Sequence, residues 1–383
     1  MAEATEHVAW AHLVFFCGGA MFDRQEMERW WRRTISVDRP GALGQVARAG
    51  LWLAALPVEV VARLRNFFYD RGVLAVLKPP VPVISFGNIT VGGTGKTPAV
   101  IWCAQYLLQR GMRPGIASRG YNPDGPAGAD GNDEARLIAE ATPGVPHAWD
   151  ADRAAAAARL VKDHGCDVVI LDDGFQHRRL HRSIDFALIS ALDPFGRGFV
   201  MPRGFLREPV SSLRRATCVI ITHSNLVSSE RLMEIRKRVW DIDEGIKLAE
   251  AVHRPTALVV EGVEQDPASI NGARIFVFCG IGSPHAFVVS LANLGAEVLG
   301  IRSFGDHHVY TDEEVAEVLS QARERGAEMV VTTQKDRVKI EALPEKALPL
   351  AEMRVEFAIT RGESTVTNML DFLAGTGERG REA

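Results

Sequence analysis

VISFGNITVGGTGKTP, residues 83 to 98, reads as a buried strand that runs into a glycine-rich turn and then a helix. Val83, Ile84 and Phe86 supply the β-prone run, and Gly92, Gly93 and Gly95 let the backbone curl with its N–H groups inward before Lys96 and Thr97 open the helix. Inward N–H groups and the partial positive charge of a helix start attract phosphate oxygens. Lys96 adds a full charge toward the β- and γ-phosphates, and the Thr97 hydroxyl is suited to Mg²⁺. The stretch Gly92, Gly93, Thr94, Gly95, Lys96 and Thr97 is therefore the expected nucleotide cradle. It departs from the usual pattern at Thr90, where glycine is common, with Gly87 three residues earlier.

Downstream the chain alternates helix and strand, the grammar of a parallel sheet covered by helices. Residues 98 to 110 read as a helix closed by Gly111, and 115 to 118 as the next strand. A Gly-, Pro- and Asp-rich loop from 121 to 132 leads to Asp133 and Glu134 at the start of a helix ending near 141, where Asp133 also suits a plain first-turn acid. After an alanine-rich helix over 153 to 164, Cys166 to Leu171 is an apolar strand that ends in Asp172-Asp173-Gly174. An acid at a strand's C-terminal end is how phosphate-loop enzymes hold Mg²⁺ or its waters. Side chains alternate along a strand, so both acids face one side only if the strand has already ended. FQHRRLHR, residues 175 to 182, follows as either a solvated basic face or a grip on an anionic substrate.

Strands are expected over 184 to 191 and 218 to 222, separated by a long loop that carries Arg207-Glu208-Pro209, and a charged helix over 228 to 240 follows. Two short β-prone runs, 248 to 254 and 257 to 261, are split by Pro255 in a hinge-like region. A second α/β series then starts at Arg274, with a Gly280-Ile281-Gly282-Ser283-Pro284 turn and a helix over 312 to 325 capped by Thr311 and Glu314. Residues 328 to 333 read as the last clear strand, and the chain closes in a polar tail from Gly375.

Composition narrows the function. At 46% hydrophobic and 24% charged, the chain is globular, and a net charge of −4 argues against coating nucleic acid. Five scattered cysteines without a C-x-x-C pair propose neither a disulfide framework nor a zinc site, which fits a reducing compartment. Val8 to Phe22 is apolar but shorter than the ~20 residues a spanning helix needs, and its arginines follow it, the reverse of a secretory leader. Val46 to Tyr69 is more informative: Leu51, Trp52, Leu53, Leu56, Val60, Val61, Leu64, Phe67 and Phe68 make a broad apolar surface flanked by arginines, with Pro57 permitting a kink. That pattern suits a helix lying in a membrane interface, or one packed on the domain core.

VGGTGKTP, SRGY at 118, LDDGFQH at 171, LREP at 206, GIGSP at 280, FGDHHVY at 304 and TQKD at 333, in this order, resemble the tetraacyldisaccharide 4′-kinases of lipid A synthesis, over about Arg39 to Lys339. The resemblance implies a P-loop NTPase-like α/β/α core with a second, smaller α/β/α lobe and a short β linker. Its boundaries here would be a membrane-associating helical region over 1–78, the kinase lobe over 79–245, the linker over 246–272 and the second lobe over 273–383. It implies ATP and Mg²⁺, a glycolipid acceptor phosphorylated at its 4′-hydroxyl to give lipid IVA, no nucleic-acid partner, and a place on the cytoplasmic face of the inner membrane. Carried onto this chain, Lys96 and Thr97 take the nucleotide and metal roles, Asp172 and Asp173 are the acidic pair at the metal, and Arg207 and Glu208 are an active-site pair with Glu208 a further metal ligand. Asp133, in GNDEA with Asn132 after Gly131, is the candidate base, and His307, preferred over His308, its partner. Arg197, Phe205 and Gln334 depart from the family pattern.

Two other classes compete: a P-loop GTPase or metal-insertion chaperone, and a cytosolic ATP-dependent ligase. In Thr333-Gln334-Lys335-Asp336 the lysine stands one place late for reading guanine, and a ligase leaves the apolar, basic N-terminal helix without a role.

Overall fold

The computed structural model describes residues 24–36, 41–119, 133–305, 308–340 and 348–379, so the apolar segment 8–22, the loop 121–132 and His307 lie outside the described residues. Helix α1 (Arg24–Ser36) precedes α2 (Ala42–Asp70), which runs through Pro57 without ending and is longer at both ends than its apolar pattern predicts. Among the described residues it is the one helix long and apolar enough to cross a membrane by length and composition alone.

The phosphate-loop strand β1 (Val83–Asn88) is buried along its whole length, as a parallel strand covered on both faces must be. It pairs in parallel with β4 (Val168–Asp172) on one side and β5 (Ile184–Ser190) on the other. Outward from β4 lie β2 (Pro114–Ser118) and the short β3 (His147–Trp149), and outward from β5 lie β6 (Cys218–Thr222) and β7 (Lys247–Val260). The helices of this half are α3 (Lys96–Gln109), α4 (Asp133–Ala141), α5 (Arg153–His164) and α6 (Ser229–Trp240). Val100, Cys103, Ala104 and Leu107 of α3 pack on Ile84, Phe86, Ile170 and Phe186 of the sheet, so the strand, its turn and its helix form one rigid unit.

Two short β runs split by Pro255 are replaced by a single strand. β7 continues through the proline for 14 residues, hairpins to β8 (Val263–Gln265), and pairs antiparallel with β12 (Leu350–Arg361). A proline cannot donate to the ladder, and the register with β12 shifts opposite it, between Arg354 and Val355. The second series is β9 (Arg274–Cys279), α7 (Pro284–Asn293), β10 (Glu297–Ser303), α8 (Asp312–Glu324), β11 (Met329–Thr333) and α9 (Gln334–Arg337). Its parallel strands join β12, so twelve strands make one sheet whose two parallel halves meet at the β7–β12 seam. Nor is residue 333 the end of regular structure, or 375 the start of a tail: β12 is followed by α10 (Glu363–Arg379). Val366, Leu370 and Leu373 of α10 return to the core around α3.

Candidate active site

The cradle sits where β1 ends. Gly92 has φ 119° and Gly95 φ 80°, left-handed values that glycine tolerates, and α3 begins at Lys96. Asn88 Nδ2 donates to Thr94 Oγ1 at 3.0 Å, and Thr222 Oγ1 at the end of β6 donates to Thr94 O at 3.0 Å, so the turn is held from below and from the side. Gly87, near the end of β1, is glycine for a packing reason: a Cβ there would lie 2.5 Å from the backbone nitrogen of Phe175.

The neighbouring strand delivers the acids. β4 ends at Asp172, and Asp173 turns out of it at φ 56°, so the alternation that would have sent the two side chains to opposite faces is broken at that residue. Asp173 accepts from Arg207 Nη1 at 2.8 Å and lies 3.2 Å from Lys96 Nζ. Burial alone would raise its pKa, but the Arg207 and Lys96 charges outweigh that and hold it well below the usual carboxylate range. Asp172 behaves oppositely: burial, then the charge of Glu134, push it up to about 7 against the pull of Lys96. Its Oδ1 is buried with no hydrogen-bond partner. An orphaned carboxylate oxygen beside a lysine and a phosphate cradle fits a divalent cation, the group that would satisfy it. Among the described residues no three acids, histidines or cysteines cluster for a metal, so phosphate oxygens and Thr97 would complete its shell.

Arg207 reaches this point because its loop lies along the stretch after β1, with Val91 N donating to Phe205 O at 2.8 Å and Arg207 N to Ile89 O at 2.7 Å. Glu208 points elsewhere. Its oxygens accept from Arg215 at 2.8 and 2.9 Å, from Asn66 Nδ2 at 2.8 Å and from Gln176 Nε2 at 3.0 Å. Burial opposes the charge, but these donors, Arg215 first, bring its pKa down to about 2. The carboxylate is thus fully occupied by protein donors, and a metal would have to displace them.

The other expected groups are placed unevenly. Asp133 is the first residue of α4, and its side chain lies outside what is described. His308 Nε2 lies 2.8 Å from Glu314 Oε2 of the observed α8 capping box and stacks on Phe304. The arginines of FQHRRLHR are tied to the protein's own acids, Arg178 to Asp70 at 2.6 Å, Arg179 to Asp152 at 3.1 Å and Arg182 to Asp185 at 2.9 Å, which favours a structural role for them. His177 among them is held neutral, its pKa lowered to about 3 mainly by burial.

Two residues of the site, Arg153 and Asn66, carry little local signal in the sequence. Arg153 opens α5, is buried, donates Nη1 to Asp150 O at 2.8 Å, and keeps Nε and Nη2 without a partner. Its pKa falls to about 10 through burial, with Asp173 and Asp172 among the charges acting on it. A cation at a helix start opposes the macrodipole, and that was the available signal. Asn66, which holds Glu208 together with Arg215 and with Gln176 of the LDDGFQH motif, carried none. Lys335 Nζ lies 3.2 Å from Glu134, next to Asp133, and ties the start of α4 to the second series. Asp336 beside it accepts from Gly280 N at 3.0 Å, so the TQKD motif braces the GIGSP turn.

The LpxK family model, tetraacyldisaccharide-1-P 4′-kinase, matches residues 47–374. Tetraacyldisaccharide 4′-kinase of Anaeromyxobacter sp. (strain K) is 39% identical over 372 residues, 92% of this chain and 97% of the relative. The enzyme of that name from Syntrophus aciditrophicus (strain SB) is 40% identical over 321 residues, 77% of this chain and 85% of its own. Among solved structures, the "apo" form of LpxK from Aquifex aeolicus in complex with ATP superposes with a TM-score of 0.63 at 27% identity, covering 85% of this chain and 99% of that one.

Proposed function

The chain belongs to the tetraacyldisaccharide-1-phosphate 4′-kinase family, and on that premise we propose how its own residues carry out the transfer. The protein is an ATP-dependent lipid A 4′-kinase, a phosphotransferase with an alcohol acceptor, and its matches over most of the chain do not favour a GTPase or a ligase. The observation that carries the reading is the juxtaposition of the glycine cradle, Lys96 and the Asp172–Asp173 pair at the ends of two adjacent strands.

ATP is held with its phosphates against Gly92 to Thr97. A phosphate in the cradle competes with Asp173 for Lys96, which then follows the γ-phosphoryl charge through a loose transition state. Asp172, Asp173 and Thr97 are the residues that would hold Mg²⁺, which would supply positive charge against the phosphates. Arg207 keeps Asp173 ionised and oriented, while Glu208, locked by Arg215, Asn66 and Gln176, fixes the loop that presents Arg207. Asp133 is the base: it accepts the proton of the acceptor's 4′-hydroxyl as that oxygen bonds to the γ-phosphorus and the bond to the ADP oxygen breaks. His307 orients Asp133. His308 is engaged by Glu314, and the Glu134–Lys335 pair supports the arrangement by drawing the start of α4 to the second series.

Helix α2 seats the enzyme on the cytoplasmic face of the inner membrane. Trp52, Leu53, Val60, Val61, Leu64 and Phe67 are exposed along it, and Asn66 on the same helix reaches Glu208. The test of the base is Asp133→Asn, which keeps shape and removes basicity. It should lower kcat by about 10²-fold or more with the KM for ATP nearly unchanged; a kcat within a few-fold of wild type would remove Asp133 from the mechanism.

A further inference from the structure

Beneath the phosphate loop lies a pair of histidines that no step above uses. β6 ends at Thr222, whereas β7, paired with it from Cys218↔Lys247 to Ile221↔Glu250, runs on with no strand on that side until β8 joins it at Leu258. His253 occupies this extension. Its ring turns toward the cradle, and a Cβ on Gly95 would lie 2.4 Å from its Nε2 and 2.5 Å from its Cε1. Gly95 is therefore glycine for two reasons, its φ of 80° and the imidazole filling the space beside it.

The ring is itself fixed. His253 Nδ1 lies 3.1 Å from His223 Nε2, and His223 Nδ1 lies 3.1 Å from Ser190 Oγ at the end of β5. Phe357, the β12 residue opposite His253 in the ladder, tilts against it at 6.4 Å between centroids. Burial keeps both imidazoles neutral, lowering His253 to about 4 and His223 to about 3. A neutral ring packed on a glycine Cα is a steric prop, and it stands on the strand that joins the two halves of the sheet. On the loop's other side, a Cβ on Gly282 would lie 2.1 Å from Gly93 N, so the cradle is gripped between β7 and the GIGSP turn.

We propose that His253 is a positioning residue for the nucleotide: clamped by His223 and Phe357, its ring sets the place of Gly95 and of the loop amides that receive the phosphates. Its ring contacts are to His223, Phe357 and Gly95, with none to Asp172 or Asp173, so its effect should fall on ATP.

The experiment compares three variants of the full chain by steady-state kinetics in both substrates, binding of a non-hydrolysable ATP analogue, and melting temperature without nucleotide. His253→Ala removes the prop and should raise the KM for ATP and the analogue Kd about tenfold, with the lipid KM within twofold. His253→Phe keeps a ring in the same space and should restore most of the ATP affinity, while His253→Asn, which keeps a polar atom toward His223 but no ring, should resemble His253→Ala. If His253→Ala does not fold, the contrast between Phe and Asn decides alone. The proposal is overturned if ATP affinity in His253→Ala stays within twofold of wild type, if both substrates' KM values rise together with the loss of melting temperature, or if the Asn variant binds ATP as well as the Phe variant.

Discussion

β1 with α3 and β9 with α7 are the same local construction, a buried parallel strand, a glycine turn and a helix, yet only the first is built to receive phosphate. In the first turn the amides of Gly93, Thr94 and Gly95 donate to no backbone carbonyl among the described residues, and Lys96 follows at the helix start. In the second, Gly280 N–H is already taken by Asp336, Pro284 stands where the lysine would, and no side chain caps the helix. A strand, turn and helix therefore supply geometry alone; affinity for anions needs amides left unpaired and a cation to face them. The two turns touch, Gly282 against Gly93, so the second acts as a wall for the first.

That contrast can be broken most severely at Lys96. Lys96→Ala leaves the strand and helix intact but removes the charge that follows the γ-phosphoryl group, and turnover should fall by about 10³-fold or more; near-normal kcat would make the two turns equivalent. A smaller effect is expected at the wall. Gly282→Ala places a methyl 2.1 Å from Gly93 N, so one of the two backbones must shift, and the KM for ATP should rise by about tenfold while lipid affinity holds. An unchanged KM would show that the second turn does not bear on the cradle. Smallest is Asn66→Ala, which removes one of the four donor contacts to Glu208 and leaves Arg215 and Gln176 in place. Losing a hydrogen bond to a charged group costs about 1.5–3 kcal/mol, and partial replacement by water at this half-buried site should limit the loss in kcat to about tenfold. A kcat equal to wild type would detach α2 from the site.

Much of the first turn was readable in the sequence because its signals are local: glycines followed by Lys96-Thr97, an apolar run ended by Asp172-Asp173, and Thr311 with Glu314 as a capping box, which the structure reproduces. What escaped notice depends on distant partners. β12 mixes Glu352, Arg354 and Glu356 into its apolar positions and becomes a strand by pairing with β7 about a hundred residues earlier. Likewise, Asn66 and Glu208 are 142 residues apart, and Glu134 and Lys335 are 201 apart, so neither pair leaves a pattern along the chain. Pro255 misled for a related reason: it breaks a strand read alone, whereas here β12 absorbs it with a register shift.

The most direct measurement is transfer of label from γ-labelled ATP to a tetraacylated glucosamine disaccharide 1-phosphate presented in vesicles, by wild type and Lys96→Ala side by side. Wild type should give labelled product carrying the new phosphate on the 4′-oxygen, and the variant about 10³-fold less. Wild-type hydrolysis of ATP with no label on the lipid, or equal labelling by both proteins, would contradict a Lys96-dependent 4′-kinase.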